Sequence, residues 1–90
     1  MEKKWFIGID ISKKTLDVVL YNSQKKHSDE TNYRKFSNNE EGYKDLLSWC
    51  RSKHISCSQL VVGMENTGVY GFDLRLFLEG KKIDYCVVLK

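Results

Sequence analysis

Apolar and polar residues near the start of the chain follow strand-like patterns. The segment 4–10 is almost entirely apolar until Asp10, which is typical of a central strand covered on both faces. In the segment 15–21 apolar residues recur at every second position, and the four-residue link before it indicates a hairpin. After a polar loop over residues 22–30, the segment 31–36 is a more polar strand, suited to the edge of a sheet.

A helical period replaces the strand pattern after residue 36. Ser37 followed by Glu40 has the spacing of a capping box, which predicts the start of a first helix. The apolar face of this helix consists of Tyr43, Leu46, Leu47 and Cys50. The segment 59–65 then returns to strand character through consecutive aliphatic residues.

The last third of the chain predicts a second helix and a closing strand. Thr67 is placed to cap this helix and Gly80 to end it, and the segment 83–89 is again apolar. The resulting order is strand-strand-strand-helix-strand-helix-strand. It predicts an α/β domain with a mixed sheet, because helix-linked strands run parallel whereas hairpins are antiparallel. Since no helix follows the last strand, we expect residues 1–90 to be one domain, truncated from a longer protein.

Composition excludes several classes of protein. The 90 residues carry a formal net charge of +3 and are 41% hydrophobic, which argues against both disorder and a two-domain enzyme. No apolar run approaches the roughly 20 residues of a membrane span, and no signal peptide is recognisable. We therefore expect a cytoplasmic protein without a membrane partner. The 3 cysteines form no CxxC pair, which predicts reduced thiols.

Two carboxylates end predicted strands in matching positions. Asp10 ends the first strand and Glu65 ends the strand between the helices, and both precede a polar turn. If these strands are parallel neighbours, the two acids face one another, and a divalent cation such as Mg²⁺ would relieve their repulsion. Gly8 and Gly63 lie two residues before the acids, on the same faces. They either leave the sheet bare for a helix or a nucleic-acid backbone, or serve tight helix packing alone.

The residues around both acids resemble a known protein family. The segments Phe6 to Val18 (FIGIDISKKTLDV) and Val62 to Tyr70 (VGMENTGVY) look like the two signatures of the amino-terminal domain of DEDD transposases. These are recombinases of bacterial insertion sequences that work with a bridge RNA. The similarity extends over essentially the whole chain, including the spacing between the signatures and the closing strand.

This resemblance implies a fold and an activity. It implies a RuvC-like domain of the ribonuclease-H type, with Asp10 and Glu65 matching the first two catalytic acids. It also implies Mg²⁺-dependent cleavage and transfer of DNA strands in DNA transposition, with DNA and a bridge RNA as partners and self-association of the full-length protein. The family's last two acids lie beyond its fifth strand, and its carboxyl-terminal domain carries a nucleophilic serine. We therefore expect the isolated chain not to cleave DNA.

Further residues are candidates for contacts with nucleic-acid phosphates. Ser12, Lys13 and Lys14 directly follow the first strand, and Thr67 opens the second predicted helix. The competing interpretations are an exposed hairpin turn for the first three residues and a simple helix cap for Thr67.

Other functions stay open at this stage. Cys50, His54 and Cys57 have a spacing that zinc sites use, although their positions favour a buried thiol and a partner of the helix dipole. A non-catalytic module that binds nucleic acid or another domain is the main alternative to an enzyme. A piece of an actin-like or sugar-kinase domain is less well supported, because the turn at 11–14 lacks the glycines of a phosphate loop.

Overall fold

Five strands form one mixed sheet in the order β3-β2-β1-β4-β5. The computed structural model describes residues 5–22, 32–65 and 68–88. The strands are β1 (Trp5–Ile11), β2 (Thr15–Asn22), β3 (Tyr33–Ser37), β4 (Leu60–Glu65) and β5 (Asp84–Val88). β2 is antiparallel to β1 and β3, whereas β4 is parallel to β1 and β5. The predicted mixed α/β sheet and element order are confirmed, and the arrangement is consistent with the ribonuclease-H-type fold that the resemblance implies.

Two helices connect the parallel strands. α1 (Glu40–Ser52) lies between β3 and β4, and α2 (Phe72–Gly80) lies between β4 and β5. Short 3-10 turns precede β4 at Cys57–Gln59 and α2 at Gly68–Gly71. Among the described residues, no helix has the length and apolar character needed to cross a membrane.

The start of α1 differs from the predicted capping box. The cap is Asn39, whose side-chain oxygen accepts a hydrogen bond from the backbone N–H of Gly42 at 2.8 Å. Ser37 cannot take this role because it is the last residue of β3 and pairs with Thr15 of β2. The cap predicted for α2, Thr67, lies outside the described residues.

Both helices end in the same way. His54 and Lys82 follow α1 and α2 in the left-handed region, with φ of 62° and 59°. The next residues, Ile55 and Ile83, donate their N–H groups five residues back and bury their side chains, which is the Schellman arrangement. Gly80, which the sequence predicts as the C-cap residue, is instead the last residue of α2.

The hydrophobic core lies on one side of the sheet. Ile7, Ile9 and Ile11 of β1 form one buried cluster with the apolar faces of both helices. On the opposite side of β1, Phe6 is 41% exposed, and Asp10 is exposed as well. The prediction that this strand is covered on both faces is therefore wrong for the described residues, because α1 and α2 both pack on the same face.

Cys50 supplies a pH-dependent contribution to this core. It lies on the buried face of α1, and burial, together with the nearby Cys57 thiol, raises the pKa of its thiol to about 11, against the opposing effect of Lys53. Folding therefore favours the neutral thiol. This contribution is complete below pH 9, the ordinary pKa, and is lost as the pH rises through 11.

We expect the Cys50→Ala variant to lose less stability than the wild type between pH 9 and pH 11. The difference should be about 2 kcal/mol, measured by urea unfolding at both pH values. Cys86→Ala is the matched control, because Cys86 is an exposed thiol on β5 and its removal should leave the pH dependence nearly unchanged. Equal losses in the wild type and in Cys50→Ala would contradict this account.

A candidate carboxylate site at the ends of β1 and β4

Asp10 and Glu65 lie at the same edge of the sheet. In the parallel pair of β1 and β4, Gly8 is level with Gly63 and Ile9 is level with Met64. The next position in this register sets Asp10 beside Glu65, on strands that are about 4.8 Å apart. Both acids line one open cavity of about 520 Å³. The fold therefore brings the two predicted acids to one place, and their role in metal binding stays a prediction.

The floor of this cavity is apolar and lacks side chains at two positions. Gly8 has open space above it, since a Cβ there would meet only the Tyr21 ring, at 3.9 Å. Gly63 is covered by the Phe6 ring, whose Cζ would lie 2.8 Å from such a Cβ. Because α1 and α2 pack on the other face, tight packing of these helices does not explain the two glycines. The surface beside the acids is instead bounded by the Phe6 and Tyr21 rings, whose centroids are 6.4 Å apart.

A third carboxylate, Asp17, lies beside Asp10 across the hairpin. The two residues are directly paired between β1 and β2, and both line the cavity. Asp17 is engaged by β3: the Tyr33 hydroxyl donates to its Oδ1 at 2.5 Å, and the Lys35 Nζ is 3.8 Å away. The hydrogen bond to Asp17 raises the pKa of Tyr33. The role of Asp17 is ambiguous from the sequence, because its position beside Asp10 depends on the register of the hairpin.

The donor chemistry of Asp10 and Glu65 fits a hard cation. Carboxylate oxygens are the ligands that Mg²⁺ prefers, and one or two of them are typical of its sites. The residues that the structure describes contain no group of three or more His, Cys, Asp or Glu side chains able to hold a metal ion. Asp10 and Glu65 alone are not a full set of metal ligands, and metal binding by them stays a prediction.

The three residues with zinc-like spacing lie elsewhere. Cys50, His54 and Cys57 line a second cavity, of about 450 Å³, at the carboxyl end of α1. Cys50 belongs to the core, and His54 has the left-handed conformation that ends the helix. Both residues therefore have structural roles in the observed geometry.

The residues predicted to contact phosphates follow Asp10 in the turn between β1 and β2. The Ser12 hydroxyl donates to the Thr15 carbonyl at 3.1 Å and accepts from the Thr15 N–H at 3.2 Å, so it closes the turn. Lys13 and Lys14 are exposed at this turn, on the same end of the sheet as Asp10. Their contact with nucleic acid stays a prediction, and Thr67 lies outside the described residues.

One polar residue beside the site was missed by the sequence analysis. The side chain of Asn38 joins the turn that follows Asp10 to the segment that follows Glu65. Its partners are 26 and 32 residues away in sequence. No local pattern of residues indicates contacts of this kind.

Comparison with known proteins places these features in context. A family model for DEDD transposases of the IS110 group, described as a transposase, matches residues 7–90. The pilin gene-inverting protein of Moraxella bovis is 36% identical over 69 residues, which cover 74% of this chain and 19% of that protein. The pilin gene-inverting protein of Moraxella lacunata is 36% identical over 67 residues, with the same coverage. The chain thus spans about a fifth of the length of these relatives.

A weaker similarity links the fold to a solved structure. The Aquifex aeolicus member of the Ppx/GppA family superposes with a TM-score of 0.46 at 8% identity, over 96% of this chain and 35% of that chain. A similarity at this level supports no functional conclusion.

Proposed function

The chain belongs to the DEDD transposase family, and on that premise we propose that it supplies the first two metal-binding carboxylates of a DNA transposase or recombinase, Asp10 and Glu65. The observation that carries the proposal is the register of β1 and β4, which sets these two residues side by side in one cavity. The reaction of the full-length protein is the cleavage and transfer of DNA strands. The relatives named for inversion of a pilin gene support a role in DNA recombination.

The two carboxylates would hold a divalent ion, taken here to be Mg²⁺. Dependence on divalent metals is general in DEDD transposases. When bound, such an ion stabilises the negative charge that develops on a reacting phosphate. Asp10 and Glu65 repel one another at their close positions, and this repulsion favours the uptake of a cation.

Two carboxylates are not sufficient for the complete reaction. Phosphoryl transfer with two metal ions requires the ions to lie roughly 3.5 to 4 Å apart, each with several ligands. The resemblance assigns the family's remaining two acids to a position beyond β5. We therefore propose that the isolated chain binds metal weakly and does not cleave DNA.

The same premise extends to partners and location. DNA is the substrate, a bridge RNA is the guide, and the full-length protein associates with itself. The exposed Lys13 and Lys14 at the turn after Asp10 would contact phosphates of the nucleic acid. The site of action is the cytoplasm.

Metal binding by the isolated chain tests this proposal. Substoichiometric Mn²⁺ is expected to broaden the amide resonances of residues 8–11 and 63–65 before all others, because its unpaired electrons relax nearby nuclei. The Asp10→Asn/Glu65→Gln double variant should lose this selectivity. Asp84→Asn is the control, because Asp84 begins β5 and lies at the amino ends of the parallel strands, whereas Asp10 and Glu65 lie at the carboxyl ends. Selective broadening that survives the double variant would refute the site.

Mg²⁺-dependent nicking of DNA by the isolated chain, abolished by Asp10→Ala and by Glu65→Ala, would refute the proposed inactivity.

A further inference from the structure

We propose that Asn38 is a positioning residue for the carboxylate site. Its side chain holds together the two segments that emerge from β1 and β4, two residues after Asp10 and five residues after Glu65. The inference rests on the proposed function, because it concerns the geometry of the same two acids.

The contacts of Asn38 reach both segments at once. Its Nδ2 donates to the backbone carbonyl of Ser12 at 2.9 Å and to that of Tyr70 at 2.9 Å. Its own backbone N–H donates to the carbonyl of Lys14 at 2.8 Å. Ser12 is two residues after Asp10, and Tyr70 is five residues after Glu65. One side chain therefore bridges the exits of both strands.

The chemistry of the bridge requires an amide. Both carbonyl groups only accept hydrogen bonds, so a side chain that serves both must present two N–H donors. The remaining acceptor, Oδ1, receives the hydroxyl of Tyr43 at 2.5 Å. Tyr43 is 3% exposed, and its ring packs against Phe77 of α2 with centroids 5.3 Å apart. The core thus fixes the orientation of the amide through Tyr43.

The bridge lies just beyond the last paired positions of β1 and β4. The last paired positions of β1 and β4 are Ile9 and Met64, one residue before Asp10 and Glu65. At the next position Asp10 and Glu65 are paired with Asp17 of β2 and Val88 of β5, and the mutual repulsion of the two acids acts where the ladder between β1 and β4 has ended. The hydrogen bonds of Asn38 oppose a separation of the ends of β1 and β4, because they join the two segments that follow the acids. Mg²⁺ demands near-ideal geometry, so a small displacement of either carboxylate weakens its binding.

Affinity for Mn²⁺ is the first test. We expect Asn38→Leu, which keeps the shape but removes both donors, to weaken selective Mn²⁺ binding at Asp10 and Glu65 by about 10-fold, the scale seen for groups that orient metal ligands. Tyr43→Phe, which frees the amide but leaves it in place, should have a smaller effect. Asn39→Ala is the matched control, because the adjacent Asn39 caps α1 through a hydrogen bond from Gly42. It should lower the melting temperature without changing the affinity.

Hydrogen exchange provides a test without metal. In Asn38→Leu we expect amide exchange at residues 10–15 and 68–70 to accelerate by about 10-fold, relative to α1 of the same variant, because the bridge no longer restrains these segments. Tyr43→Phe should show the same pattern more weakly, and it provides the test if Asn38→Leu fails to fold. Asn39→Ala should not show the pattern. Unchanged exchange and unchanged Mn²⁺ affinity in Asn38→Leu would overturn the inference while leaving the proposed function intact. A wild type that lacks selective Mn²⁺ binding would refute the proposed function, and the exchange pattern would still decide on the bridge.

Discussion

Replacing Asp10 by asparagine in the full-length protein is expected to reduce DNA strand cleavage by about 100- to 1,000-fold. This is the scale of loss when a group that stabilises transition-state charge is removed from an active site. Asparagine preserves the size of the side chain, and Asp10 is exposed, so the fold should be unaffected. Glu65→Gln should have a similar effect. The double variant should lose little more than either single variant, because the proposed function assigns both acids to the same ion.

Asp17→Asn is the matched control for this experiment. Asp17 lines the same cavity and pairs with Asp10 across the hairpin, but its side chain is held by Tyr33 and Lys35 of β3. We expect this variant to retain activity within about 10-fold of the wild type, the lower end of the loss for residues next to metal ligands, because its carboxylate is already engaged by Tyr33 and Lys35. A plasmid nicking assay over a range of Mg²⁺ concentrations measures all variants. Retention of more than a tenth of the activity by Asp10→Asn would contradict its assignment as a metal ligand.

Gly42→Ala is expected to lower the free energy of unfolding by about 3 kcal/mol or more, despite the higher helix propensity of alanine. A Cβ at Gly42 would lie 1.8 Å from the carbonyl oxygen of Ser37 and 2.7 Å from its carbonyl carbon. Ser37 cannot move away easily, because it pairs with Thr15 at the end of β3. The first turn of α1 therefore lies so close to the end of β3 that only glycine fits.

Gly80→Ala is the control for this substitution. Gly80 is the last residue of α2, and a Cβ there would meet nothing within 4 Å. This variant should be neutral or stabilised by up to about 1 kcal/mol, the helix propensity gained. Urea unfolding of both variants measures the difference. A similar stability for Gly42→Ala and Gly80→Ala would show that the close approach of α1 and β3 does not constrain this position.

Gly42 also connects stability to the candidate site. Asn38 lies between Ser37 and Gly42, in the short link between β3 and α1. A shift of this link to relieve the clash would move the Asn38 amide away from the carbonyl groups of Ser12 and Tyr70. We therefore expect any folded fraction of Gly42→Ala to show weaker Mn²⁺ binding than Gly80→Ala does.

The position of the two acids could be predicted from the sequence because it depends on simple rules. Side chains in a strand alternate between faces, and parallel strands align their carboxyl ends. Asp10 and Glu65 each follow an apolar run that ends in a polar turn. The register of β1 with β4 then brought them to one cavity, as these rules imply.

Other features of the site could not be predicted in this way. The cap at Asn39 displaced the predicted one at Ser37, because pairing in β3 took up the backbone of Ser37. The Phe6 ring covers Gly63, and Tyr33 engages Asp17, only because neighbouring strands adopt one particular register. Each of these contacts depends on the relative placement of separate segments.

The sequence by itself determined the order of strands and helices, the alternation that puts both acids on one face, and the family to which the chain belongs. Only the tertiary structure decided that both helices cover the same face of the sheet, that Gly42 meets the end of β3, and that Asn38 joins the segments behind the two acids. The physical reason is one of range. Periodicity and turn chemistry act between residues close in sequence, whereas these contacts join segments that become neighbours only after the core has formed.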